Sequence, residues 1–271
     1  MNRLEIILAT VAGALALCPA SGSAQAHDQL RLHVNDRWEE CSFQLDAALT
    51  KSAWRQFTRE AGLVTYFRPL RDAAPMGRGK FELSVVQSVV GIDDHDAAWN
   101  DTFVHPDSTH WLYEGSGLSF PGVMGRAGVT DRLDVGAYFT MNPNANYGFA
   151  GGQLQYNLLR ETTAYVDASA RATFVTLFGP EDVDASVYGI DVVVSKPVPL
   201  FRGVSVAPYA GVSGYLATSH EKSTVVNLED ERMAGMHAMA GAVAQFAFLR
   251  VAAEYDAAAV QSRTVRIGFV F

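Results

Sequence analysis

From Lys80 to the last residue, Phe271, apolar side chains recur at every second position, and this period constrains the fold more than any other feature of the chain. A period of two belongs to a β-strand, whose successive side chains point to opposite faces. Breaks in the pattern divide the region into ten segments: 81–91, 117–129, 132–142, 147–159, 164–178, 184–196, 204–218, 232–247, 250–259 and 262–271. Most reach the about 9–11 residues that a tilted strand needs to cross a bilayer. The connections fall into two alternating sets. One set (Thr130-Asp131, Arg160 to Thr163, Pro197 to Gly203, Phe248-Leu249) is mostly short, whereas the other holds the two longest, 92–116 and 219–231. A soluble β-sandwich also alternates, but it turns one face of each strand to water and needs charges there. Charged residues make up only 18% of the chain, and the strand region has three lysines, Lys80, Lys196 and Lys222, which is too few for that. The expected fold is all-β, an antiparallel transmembrane barrel of about ten strands.

The last strand, Ser262 to Phe271, sets Val265, Ile267, Phe269 and Phe271 on one face and Thr264, Arg266 and Gly268 on the other. An aromatic last residue with apolar residues at alternate positions before it resembles the closing strand of bacterial outer-membrane β-barrel proteins, the small porin-like and OmpA-type barrels. The resemblance covers residues 80–271. It implies a Gram-negative outer-membrane location, with short turns in the periplasm and long loops outside. It also implies that Ile267, Phe269 and Phe271 form the signal read by the barrel assembly machinery. Outer-membrane lipid and lipopolysaccharide would surround a monomer, and no cofactor is expected. An even strand count puts both ends of the barrel on the periplasmic side.

Ahead of the strands, residues 1–26 read as a cleaved secretory signal: Arg3, an apolar run from Ile6 to Leu17, then Ala24-Gln25-Ala26. Leu17 sits where a lipoprotein signal at Cys18 would need a small residue. Cleavage after Ala26 leaves Cys41 as the only cysteine, so no intramolecular disulfide can form. No later stretch approaches the about 20 apolar residues of a membrane helix. A net charge of −8 argues against a nucleic-acid partner. Phe43, Ala47, Thr50, Trp54, Phe57 and Ala61 draw one stripe down a helix, with Ser42 as N-cap and Gly62 as the stop. One helix cannot fold alone, and docking at the periplasmic mouth is expected. Phe67 to Gly79, with two prolines and two glycines, reads as a linker. The chain thus divides into a signal (1–26), a periplasmic helix with linker (27–79) and a barrel (80–271). A twelve-strand version would recruit Leu63 to Phe67.

If Val265, Ile267 and Phe269 face lipid, strand phase turns Arg126, Asp134, Asp167, Arg171, Asp191, His237, Arg250, Glu254, Asp256 and Arg266 inward. Gln153, Gln155, Asn157, Gln245 and Glu82 join them. Mixed signs suit a network of pairs, whereas a selective pore carries rings of one sign. A barrel of about eight strands is just filled by its side chains, and ten leave little more room. The leading function is a non-enzymatic scaffold or narrow passive channel with a side-chain-filled lumen. The alternative is a surface enzyme using the 93–110 loop. Asp93-Asp94-His95-Asp96 partly resembles the rim of the omptin proteases, which pair carboxylates with a His-Asp couple. No second Asp/His pair tops another strand, however. Asp93, His95 and Asp96 are weak metal candidates, with His105 and His110 nearby. His237 has no adjacent serine for a His-Ser dyad. No phosphate loop, zinc motif or nucleophile elbow is present, so no catalytic residue is assigned.

Overall fold

In the computed structural model, which describes residues 42–93, 95–104, 118–141 and 145–271, the alternating region forms ten strands. They are β1 Phe81–Gly91, β2 Leu118–Gly128, β3 Leu133–Met141, β4 Gly148–Leu159, β5 Asp167–Phe178, β6 Val183–Ser195, β7 Val204–Glu221, β8 Glu231–Phe246, β9 Leu249–Ala257 and β10 Gln261–Val270. Each pairs antiparallel with its successor. Gln261–Val270 of β10 then pairs with β1, which closes the barrel. A four-residue strand, Val198–Phe201, folds back on the start of β7 as a flap. Two one-turn helices interrupt connections, Ala97–Asn100 between β1 and β2 and Glu161–Ala164 between β4 and β5.

Closure gives every strand one outward and one inward face. On β6, Tyr188, Ile190, Val192 and Val194 face out, and Ile190 is 67% exposed, while Val187, Asp191 and Val193 are buried. Leu83, Val85, Val123, Leu154, Val212, Ile267 and Phe269 continue the apolar belt around the barrel. Exposing such a belt to water costs about 25 cal/mol per Å², and hydrocarbon removes that cost. Aromatic rings edge the belt, as membrane interfaces favour. Phe81 stacks on Phe271 at 4.8 Å and Phe248 on Phe269 at 6.1 Å near the short turns, and Phe139 stacks on Phe178 at 5.5 Å toward the long connections. With apolar groups outside and charges inside, the molecule is inverted relative to a soluble sandwich. It is a transmembrane barrel.

The segment before β1 departs from expectation in three ways. First, α1 runs Lys51–Val64, beginning later than the stripe suggests, because Thr50 is the cap and its Oγ1 accepts from Ala53 N. Ser42–Phe43 pairs instead with Phe103–Val104, and a turn at Asp46 separates that bridge from the helix. Gly62 does not stop the helix. It sits inside α1, where an added Cβ would lie 2.7 Å from Ala217 Cβ and Tyr215 Cε2, so its role is close approach to β7.

Second, α1 docks at the mouth built by the long connections, opposite the short turns where it was expected. Trp54 Nε1 donates to Glu229 O at 3.1 Å, Tyr215 Oη to Arg59 O at 3.0 Å, and Gln56 Nε2 to Asp96 Oδ2 at 2.9 Å. The aromatic stripe finds aromatic partners at this mouth: Phe57 packs edge-on against Trp99 at 5.2 Å and against Phe43 at 6.0 Å. Third, residues 65–79 are no outer linker. They pass down the lumen and reach β1 at the short-turn mouth, where Gly79 N donates to Gly128 O. Leu63 to Phe67 join no strand, so the barrel has ten strands and not twelve. The signal segment, Cys18 and Cys41 lie outside the described residues.

Candidate functional site

Many inward positions carry small side chains, among them Ser84, Ser88, Ser169, Ser213, Thr264, Ala207 and Ala217. They leave a bore, and residues 42–79 fill it in two tiers. The upper tier, under the long connections, is apolar: Trp54, Phe57, Trp99 and Phe103 are each at most 1% exposed. Phe43 lies over Phe103 at 4.1 Å, Trp54 stacks on Phe57 at 5.4 Å, and Tyr147 meets Phe149 at 5.6 Å. The lower tier is polar and surrounds residues 65–79.

Those fifteen residues form no ladder, so their main-chain groups must find side-chain partners inside the barrel. Arg68 turns back to the end of α1, where Nη2 donates to Leu63 O at 2.9 Å, and its Nε donates to Asp256 Oδ2 at 2.9 Å and Ser262 Oγ at 2.8 Å. Tyr66 Oη donates to Asp191, and Arg171 donates to Asp191 and to Phe67 O. Arg126 donates to Pro69 O. Leu70 N donates to Glu254 Oε2 at 3.0 Å, while Leu70 O accepts from Arg266 Nε at 2.9 Å. Further down, Ala73 N donates to Ser195 Oγ at 2.8 Å and Ala73 O accepts from Asn157 Nδ2 at 3.1 Å. Met76 N donates to Asp134 Oδ2 at 3.0 Å. A cavity of about 10 Å³ remains beside Tyr66, Phe67 and Tyr138, room for about one water.

The ten charged positions assigned to the lumen from strand phase are turned inward. Nine are buried, and the Arg250 side chain is 13% exposed. They divide between two tasks. Arg171 pairs with Asp191 across β5 and β6, Arg250 and Arg266 share Glu82, and His237 Nε2 lies 3.5 Å from Asp256 Oδ1. Arg126, Asp134 and Glu254 hold the threaded segment, as Arg171 and Arg266 also do. Asp167 accepts from Glu161 N at the short-turn edge. The residues that sequence reasoning missed belong to the thread itself: Tyr66, Arg68, Leu70 and Arg71, all at most 7% exposed. Two signals could have found them: the aromatic and arginine content of a supposed solvent linker, and the excess of serine and alanine on inward faces.

At the upper rim, Asp93 Oδ1 accepts from His95 N, and Asp96 caps the Ala97–Asn100 helix while also accepting from Gln56. These three residues converge on no common ligand point. Among the described residues, no group of three metal-ligating side chains comes together. Asp94, His105 and His110 lie outside the described residues. Lys51 pairs with Glu229 at this rim, and that hydrogen bond holds the Glu229 carboxyl below the usual carboxylate range. On the lipid face, Ile267, Phe269 and Phe271 are 39%, 46% and 64% exposed. Phe271 N and O both bond to Phe81, which seals the seam between β10 and β1.

No family model matches the chain, and no curated protein does. Among solved structures, it is similar to Ail, the attachment invasion locus protein of Yersinia pestis, at 14% identity and a TM-score of 0.25, over 72% of this chain and 99% of that one. It is similar to the N-terminal β-barrel domain of Pseudomonas aeruginosa OprF at 12% identity and a TM-score of 0.29, over 72% and 99%. The β-domain of the Bordetella autotransporter Brka gives 13% identity and a TM-score of 0.39, over 72% and 100%. At such identities the likeness is one of architecture and carries no activity with it. The lipid-facing exterior is this chain's own property. Only closed barrels and helices can span a bilayer with every backbone group satisfied, and this chain combines a closed sheet with an apolar outer belt.

Proposed function

We propose that this chain is a non-enzymatic scaffold barrel whose lumen is closed by its own residues 65–79. The single observation that carries this reading is the threaded segment, whose main chain is bonded from mouth to mouth by lumen side chains. Short turns lie in the periplasm and long connections face outward, the usual arrangement for such barrels. Lipopolysaccharide borders the outer half of the belt. Assembly depends on Ile267, Phe269 and Phe271, and the barrel is a monomer. Against the enzymatic alternative, the Asp96 carboxylate is taken up as a helix cap and by Gln56, although the structure, unlike the sequence reading, does pair His220 with Asp230 at 2.5 Å on the same rim. The apolar upper tier favours the scaffold over the narrow passive channel. Single-channel recording of the refolded full chain tests the reading, with folding checked by the mobility difference between unheated and boiled samples. A folded, silent barrel is expected. Discrete, reproducible conductance steps would overturn it.

A further inference from the structure

The thread has a direction, and two separate parts of the barrel wall measure it independently. Along β6, which descends from the long-loop mouth to the short-turn mouth, Tyr66 bonds at Asp191 and Ala73 at the last residue, Ser195. Along the β9–β10 hairpin, Arg68 bonds at Asp256 and Ser262 beside the connecting turn, and Leu70 lies lower, at Glu254 and Arg266. Met76 then reaches Asp134, the second residue of β3, and Gly79 reaches Gly128, the last residue of β2, both at the short-turn mouth. So the chain enters the lumen under the long connections and leaves it where β1 begins. Fifteen extended residues span at most about 50 Å, more than the about 30 Å of a hydrocarbon core. Residues 65–79 are therefore long enough to cross the membrane inside the barrel.

The contacts also identify the kind of ligand the lumen takes. Glu254, Ser195 and Asp134 accept main-chain N–H groups of the thread, while Arg171, Arg266 and Asn157 donate to its carbonyls. Such contacts recognise a polypeptide main chain, and the side chains of Tyr66 and Arg68 add bonds of their own to Asp191 and Asp256. We propose that the lumen is a conduit for this chain's own N-terminal segment. It carried α1 and the bridge at Ser42–Phe43 to the outer face of the membrane, and it retains residues 65–79 as a crossing that never joins the sheet. The two ends of the described chain then lie on opposite sides of the membrane. The proposal rests on the orientation adopted under Proposed function.

Cysteine accessibility in intact cells tests both and tells them apart. In a background with Cys18→Ser and Cys41→Ser, single cysteines are introduced as Ser52→Cys on α1, Thr224→Cys in the β7–β8 connection and Asp131→Cys in the β2–β3 turn. All three positions are exposed. Each variant is checked for folding by heat-dependent mobility and then treated with a membrane-impermeant maleimide. The expected result is full labelling of Ser52→Cys and Thr224→Cys in intact cells, with Asp131→Cys labelled only after lysis. Labelling of Ser52→Cys only after lysis overturns the proposal. If Thr224→Cys still labels in intact cells, the orientation stands and the helix position is at fault; if Asp131→Cys labels in its place, the orientation itself is wrong.

Discussion

Asp191 gathers three donors at one fully buried point: Tyr66 Oη from the thread, Arg171 from β5 and Ser213 Oγ from β7. Its removal would leave the Arg171 guanidinium buried without its counter-ion, and breaking a buried pair in this way costs about 3–5 kcal/mol. Asp191→Ala should therefore lower the temperature at which the folded, fast-migrating form converts to the unfolded one in detergent. Glu254→Gln keeps an acceptor for Leu70 N and Tyr209 Oη, so it should stay within about 1 kcal/mol of the parent. An Asp191→Ala barrel as heat-resistant as the parent would mean that the thread is not held there. Gly62 offers a second residue-scale test. Alanine in mid-helix gains about 1 kcal/mol over glycine, but its Cβ would collide with Ala217 and Tyr215 at 2.7 Å, and overpacking costs about 1–3 kcal/mol. The clash prevails, so Gly62→Ala should lower the same conversion temperature. Gly214→Ala, which would meet nothing within 4 Å, should leave it unchanged.

At the scale of elements, α1 is held chiefly by its apolar face. Trp54 and Phe57 are fully buried, and truncating such a ring costs about 3–5 kcal/mol. Arg55 adds a pair with the buried Glu231 carboxylate at 3.2 Å, whereas the pair of Lys51 with Glu229 is exposed on both sides and contributes little. Its sign is fixed: the Glu229 carboxyl is held low, so its contribution is present above the ordinary carboxylate pKa and fades as pH falls through the depressed value. Trp54→Ala should thus expose Arg55 and Arg59 to trypsin while the strands keep their heat-dependent mobility, whereas mild acid should change the cleavage pattern hardly at all. Cleavage that follows acid and ignores Trp54→Ala would reverse this ranking. The contrast with the strands explains what could be read in advance. A strand wall repeats every two residues, so its segments and the inward set from Arg126 to Arg266 are visible locally. The thread has no period, because its partners are lumen side chains as far away as Arg266, 196 positions from Leu70. Pro69, Pro75, Gly77 and Gly79 look like a solvent linker, since nothing local reports that a barrel surrounds them. The docking end of α1 was hidden for the same reason: Trp99 and Phe103, which receive it, lie in a connection without regular pattern.

At the scale of the whole molecule, the barrel wall acts as a receptor for the chain's own peptide. Tyr66, Phe67, Leu70, Ala73 and Met76 are all at most 4% exposed, and main-chain bonds reach the thread from β3, β4, β5, β6, β9 and β10. Contacts of this number should hold the segment without a covalent link to the wall. The link can be cut at a place the fold tolerates. Arg78 is exposed between Gly77 and Gly79, whose φ angles of +87° and +77° form the turn into β1, and a side chain added at either glycine would meet nothing within 4 Å. Insertions at such tips are usually accepted. A specific protease site placed after Arg78 and cut once the barrel has folded should give two pieces that migrate together unheated and separate only on boiling. The cut barrel should remain electrically silent in a planar bilayer. If the N-terminal piece leaves without heating and conductance appears, the covalent tether closes the lumen, and the side chains lining it do not.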